Sequence, residues 1–337
     1  NYQGCGNDTC CHGRPNVTST SPKSNQDQIC RNNQIVINFD QLMNTDTLTD
    51  NLLLIEEKSY GSGVCTNGTT VSLNDFKPKT TNLLARLYQT VSGSFKRLFN
   101  RTTDNAIAAA PSADKLYCIV PTTIESKTNY VNSATSTTAY IKPQKMLSAD
   151  TNYFVVVKGD ENLDSNSGVT SENKVGLNAS SLSPITNPKF DGVAFKNSYT
   201  FGFKTMADNN SNNGLCTISK VITNPSSFLI KSADNDPSDD VPGSANFDKA
   251  DDNDRLVSAF AYSVDDQLLQ PVSGYMWNWD WQVADTSVAS KLNITGLESN
   301  EIVVGAVAGV TDKSTQITAA INMTGLSNVT FTGDKLS

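Results

Sequence analysis

The chain has 337 residues, with 26 Lys and Arg against 34 Asp and Glu, giving a net charge of −8. That length supports one to three domains with cores of their own, and the acidic balance argues against nucleic acid, which calls for a basic patch. The apolar fraction of 37% is low for a compact enzyme, but short apolar strands recur throughout, which excludes a disordered chain and points to an all-β fold with polar outer faces.

Residues 1–13 form a polar, cysteine-rich lead-in, "NYQGCGNDTCCHG". It lacks the apolar core of a signal peptide and reads as the start of a processed segment. The one histidine, His12, sits here beside Cys10 and Cys11, so a Ser-His-Asp or Cys-His arrangement would have to be built on this tail. A c-type haem motif is excluded, because Asp8 stands where the first cysteine is required. The chain reads as non-enzymatic.

An extended run bracketed by Pro15 and Pro22 follows, then "QIVINF", where Ile35, Ile37 and Phe39 alternate with Val36 and Asn38. That is the period of a half-buried strand. "NLLLIEE" predicts another. The segment from Thr80 to Asn100 carries the best helix signal: Leu83, Leu84, Leu87, Tyr88, Val91, Phe95, Leu98 and Phe99 fall at i, i+3, i+4 spacing, with Arg86, Lys96 and Arg97 off the stripe. Its apolar face suits packing on the sandwich or the insertion, docking into a neighbouring copy, or a membrane surface. Cys65 and Cys118 flank it. Their pairing is expected to close a loop of about 50 residues, on the order of 4 kcal/mol in the chain-entropy model.

Farther on, Tyr153, Val155 and Val157 share one strand face, and Tyr199, Phe201 and Phe203 another. "PNVTSTSP", "INFDQLMNTDTL", "YIKPQKMLSADTNYFVVVKG" and "YTFGFKT" together resemble the bacterial Ig-like module of the SbsA type, first named from an S-layer protein, across residues 14–208. The resemblance implies a seven-stranded sandwich that spaces or presents other parts on a cell surface, with no catalytic residues to carry over. Such a sandwich needs about 100 residues, so insertions are expected at about 60–136 and 161–197.

"MADNNSNNG" marks a polar hinge, and residues 209–337 form the second predicted domain. In "GYMWNWDWQVADTSVAS" Tyr275, Trp277, Trp279, Trp281 and Val283 line one strand face, and Met276, Asn278, Asp280 and Gln282 the other. Trp281, Asp285, Val288 and Ala289, followed by Ile317, Thr318 and Ala319, resemble a group 2 bacterial Ig-like domain over residues 214–325. The resemblance puts Trp281 in the core, and period two carries Trp279 with it. Trp277 is left between core and interface. An outward, sugar-stacking platform is the competing reading.

Seven cysteines match no zinc spacing and predict disulfides in an oxidising, extracellular setting. An odd number leaves at least one unpaired or paired outside the chain. Beyond Cys65 and Cys118 the connectivity stays open. Cys30 with Cys10 or Cys11 would pin the lead-in, and a link from Cys5, Cys10 or Cys11 to Cys216, or to another molecule, would lock domains or subunits. Glycosylation sequons begin at Asn16, Asn67, Asn100, Asn178, Asn293, Asn322 and Asn328, among others.

Two acidic stretches invite calcium. Asp160, Asn162, Asp164 and Asn166 alternate as in the first half of a calcium loop, without the glycine and closing glutamate of an EF-hand. Asp248, Asp251, Asp252 and Asp254 crowd a second loop. Such carboxylates are either solvated or bridged by a cation. The functional expectation is an extracellular cell-surface stalk, coat or filament subunit that self-associates or meets neighbouring surface proteins. The alternative is an adhesin for glycan or protein. No stretch is long and apolar enough for a transmembrane helix.

Overall fold

The computed structural model describes residues 13–59, 115–131, 134–159, 168–178, 182–185, 189–190, 193–195, 197–208, 213–230, 254–272, 276–324 and 330–335. The fold is all-β, built of Ig-like sandwiches. The chain forms two units that interleave in sequence: unit 1 is Asn1–Ile29, Ile35–Asn129 and Thr135–Asn209, and unit 2 is Cys30–Gln34, Tyr130–Ala134 and Asn210–Ser337.

In unit 1 the chain runs β1 (Val17–Ser21), β2 (Gln26–Ile29), β3 (Ile35–Phe39), α1 (Thr45–Asn51), β4 (Leu52–Ser59), β5 (Lys115–Ile119), β6 (Thr122–Val131), β7 (Ala134–Pro143), β8 (Asn152–Val157), β9 (Lys189–Phe190), β10 (Val193–Ala194) and β11 (Tyr199–Thr205). One sheet has the order β1-β3-β7-β6, a second β2-β11-β8-β4-β5, and β9 and β10 form a small hairpin. Strand alternation decides what lies between the sheets. Ile35 and Ile37 stand opposite Ile141 and Ala139, and all four are fully buried. Facing them, Leu52, Leu54 and Glu56 stand opposite Val157, Val155 and Tyr153, and Phe201 and Phe203 extend two of those rows. These residues make one continuous core.

The second sheet is buried on its other face as well. Leu53, Ile55 and Val156 alternate outward and pack with Phe195, Tyr117 and Phe154. A strand buried on both faces reads as a continuous apolar run rather than as an alternation, which is why "LLLI" and "VVV" carry no polar interruption. Two charged side chains are buried among the described residues of this unit, Glu56 and Lys158. Glu56 is 1% exposed, accepts the hydroxyl hydrogens of Ser148 and Tyr153, and lies 3.4 Å from the Lys58 ammonium.

α1 is a short helix that the sequence pattern did not announce. Asn44 caps it by accepting from the Asp46 amide at 3.1 Å, and Leu48 drops into the core at 1% exposure. With 7 residues it is too short for an apolar stripe to register. The helix predicted at residues 80–99 lies outside the described residues. Residues 115–131, within the first predicted insertion, form β5, paired with β4, and β6. From the second predicted insertion, Val169 and Leu177 join the core.

In unit 2 the strands are β12 (Lys220–Asn224), β13 (Asp254–Tyr262), β14 (Met276–Val283), β15 (Ala289–Leu292), β16 (Glu301–Ala306), β17 (Ile317–Thr324) and β18 (Thr330–Lys335). They form sheets of order β12-β13-β16-β15 and β14-β17-β18. Val257, Ala289, Ile302, Val304 and Ile317 make the core, with Phe228, Ile230, Trp281 and Val283 packed on it.

Candidate functional site in the second unit

Two features of unit 2 are candidates: the tryptophan strand and the segment Cys30–Gln34. In β14 burial alternates without a break: Trp277, Trp279, Trp281 and Val283 are half-buried, and Asn278, Asp280 and Gln282 are exposed. Its register with β17 is uninterrupted, with Trp281 opposite Ala319 and Trp279 opposite Ile321. Ala319 and Ile321 are both fully buried. Trp281 packs on the core, and its indole N–H is enclosed without a hydrogen-bond partner. Trp279 is half-buried. It meets Trp277 edge to face, with centroids 6.3 Å apart and planes at 72°. That geometry suits the ring quadrupoles.

The turn after β14 explains the resemblance motif physically. Asp285 Oδ1 accepts from the Ser287 amide at 2.9 Å and from its hydroxyl at 2.6 Å. These bonds hold the Asp285 carboxyl below its ordinary pKa, the Ser287 hydroxyl first. The Asp285 amide in turn donates to Thr315 Oγ1 at 2.8 Å. The clasped turn delivers Val288 and Ala289 to the interior, at 9% and 5% exposure.

Cys30–Gln34 is built into unit 2 by backbone pairing. The Arg31 amide donates to Gly214 O at 3.0 Å, Gln34 to Leu268 O at 2.8 Å, and Gln270 to Asn32 O at 2.9 Å. Asn32 adds a reciprocal pair with Cys216, its Nδ2 donating to the carbonyl and its Oδ1 accepting from the amide, each at 3.0 Å. The Gln267 side chain caps the Cys30 amide at 2.7 Å. A disulfide between Cys30 and Cys216, with Cα atoms 5.5 Å apart and a sequence separation of 186, closes the arrangement. Neither Cys10 nor Cys11 takes Cys30. No local sequence signal marks this pairing, because the contacts around it, such as Arg31 with Gly214 and Asn32 with Cys216, join residues far apart in sequence.

Cys118 is disulfide-bonded, while Cys65, Cys5, Cys10 and Cys11 lie outside the described residues. So do Asp160, Asn162, Asp164, Asn166, Asp248, Asp251 and Asp252. Asp254 begins β13 and is buried at 4% exposure. Among the described residues no group of three His, Cys, Asp or Glu is placed to hold a metal ion. Of the sequon asparagines, Asn16 and Asn178 are hydrogen-bonded to each other at 2.9 Å, and Asn16 Nδ2 also donates to Asp40 at 2.6 Å. Asn293 is exposed. Asn322 lies in β17, and Asn67, Asn100 and Asn328 are outside the described residues. Among the described residues no helix is long and apolar enough to cross a membrane.

The family model of a bacterial Ig-like domain matches residues 12–91. No match is found among curated proteins. Among solved structures, the crystal structure of the S-layer protein rSbsC(31-844) aligns at a TM-score of 0.25 and 11% identity, over 95% of this chain and 26% of that one. The chain thus spans about a quarter of that S-layer protein's length.

Proposed function

We propose that the chain is a non-enzymatic extracellular segment of a cell-surface structural protein, serving as a stalk, coat or filament subunit. In this reading residues 14–208 are an SbsA-type Ig-like sandwich and residues 209–337 a group 2 bacterial Ig-like sandwich. The observation that carries it is the bacterial Ig-like match at residues 12–91, in a chain whose two units are both built from paired sheets. The Cys30–Cys216 disulfide adds support, because such bonds persist in oxidising compartments. Partners in this reading are further copies or neighbouring surface proteins. Negative-stain microscopy of native cell surfaces, with mass analysis under non-reducing conditions, tests it. Regular arrays, fibres or disulfide-linked multimers support it, and isolated monomers that bind a sugar array sink it.

A second reading, a glycan- or protein-binding module, draws on the half-exposure of Trp277 and Trp279. A glycan array probed with the wild type and a W277A/W279A variant separates the two. Calcium at the acidic loops is part of either reading, and an unchanged melting curve on adding calcium or chelator removes it.

A further inference from the structure

The disulfide of unit 2 encloses nearly all of unit 1 in sequence. Ile35–Asn129 and Thr135–Asn209 both lie between Cys30 and Cys216. A chain pulled from its two ends transmits force along the shortest covalent route. Here that route runs from the N-terminal residues to Cys30, across the sulfur bridge, and on from Cys216. From these facts we infer that the bond is a covalent bypass, which takes residues 31–215 out of the load path and caps how far the chain can stretch.

The structure gives the bypass two stages. β1 and β2 precede Cys30, so they stand in the load path. Their pairings, β1 with β3 and the parallel pairing of β2 with β11, are strand contacts in unit 1 that tension reaches. β3 to β11 follow Cys30 and precede Cys216, so their ladders carry no end-to-end force, even after β1 and β2 have peeled away. In unit 2 the sulfur bridge is backed by the bonds from Arg31, Gln34 and Gln270, which anchor the bypass segment to the folded body.

The inference gives mechanical content to the structural reading above and depends on that reading for its biological use. Its measurement does not, because the stretch limit exists whether or not the protein forms arrays. The test is single-molecule force spectroscopy on the full chain held at its two ends. The oxidised wild type is compared with a C30S/C216S variant, which is pulled both without reductant and with dithiothreitol to open any other disulfide. The reduced variant is expected to extend farther than the oxidised wild type by the hidden length. For a separation of 186 residues this is roughly 600–670 Å at about 3.3–3.6 Å per residue. Without reductant the variant is still longer than the wild type. Equal final lengths for the oxidised wild type and the variant under both conditions overturn the inference. A serine pair that fails to fold does not spoil the test, because final length is read from the fully extended chain.

Discussion

Tyr153 donates its phenolic hydrogen to Glu56 at 3.2 Å and accepts the Ser148 amide at 2.7 Å, inside the core of unit 1. The pair sits opposite in register on β8 and β4, and Phe203 stacks on the Tyr153 ring with centroids 5.5 Å apart. A carboxylate at 1% exposure is tolerable only because two hydroxyls and the Lys58 ammonium meet it. The Tyr153→Phe substitution keeps the stack and removes the donor. It is expected to lower stability by about 1–2 kcal/mol in urea unfolding.

The same tyrosine sets an alkaline limit. Burial, aided by the Glu56 charge, pushes the Tyr153 hydroxyl well above its ordinary 10.0. Burial also raises Tyr199 and Tyr262, the latter helped by Asp266. The folded chain therefore holds these protons at a pH where the unfolded chain releases them. Stability is unaffected below about pH 10 and falls as pH rises beyond it. Urea midpoints between about pH 9 and pH 11 are expected to fall, and less steeply in the Tyr153→Phe variant. Equal slopes in the two proteins rule out Tyr153 as a contributor.

Along the tryptophan strand Trp281 and Trp277 are expected to differ. Trp281→Phe removes an enclosed N–H that has no partner, which offsets the lost area, so the change stays within about 1 kcal/mol. Trp281→Ala opens the core edge and costs about 2–4 kcal/mol. Trp277→Ala, outside the core cluster, costs less than about 1 kcal/mol. If Trp277→Ala matches Trp281→Ala, the core reaches farther along β14 than the burial pattern indicates.

Two glycines make a sharper contrast. A Cβ on Gly159 would lie 1.7 Å from the Asn197 carbonyl oxygen, a backbone atom that cannot step aside. Gly159→Ala is therefore expected to cost about 3 kcal/mol or more, at the top of the range for overpacking. The atoms nearest a Cβ on Gly305 belong to the Leu292 side chain, at 3.1 Å. Leu292 can shift its rotamer, and Gly305→Ala is expected to be near neutral. Thermal melts of both variants decide it.

Residues 210–337 alone are expected to make an incomplete unit. Without Cys30–Gln34, the Gly214 and Leu268 carbonyls and the Gln270 amide lose their backbone partners. The expected penalty is a drop in melting temperature on the order of 10 °C relative to the full chain. A synthetic peptide spanning residues 28–36, oxidised onto Cys216, restores it. A fragment as stable as the full chain would falsify the structural need for the excursion.

Strand positions in both units were legible in the sequence because alternation is a local property. Ile35, Ile37 and Phe39 are buried and Val36 and Asn38 less so, as their period requires. Trp281 likewise meets the core through the same rule. What sequence could not supply was non-local. The Cys30–Cys216 bond joins residues separated by 186 positions in sequence. The α1 cap at Asn44 is illegible for a different reason, since about two turns of helix have too few residues to show a period. In the sequence Glu56 looks like any exposed strand-end glutamate until β8 places Tyr153 beside it.

The long span of the Cys30–Cys216 bond also imposes an order in time. A chain made from its N-terminus presents the Cys30 thiol well before Cys216 exists. At about 5–20 residues per second, a separation of 186 residues is a wait of roughly 10–40 s. Cys5, Cys10 and Cys11 precede Cys30, and Cys65 and Cys118 arrive before its true partner. Maturation thus requires Cys30 either to stay reduced past five decoys or to be resorted by an isomerase afterwards.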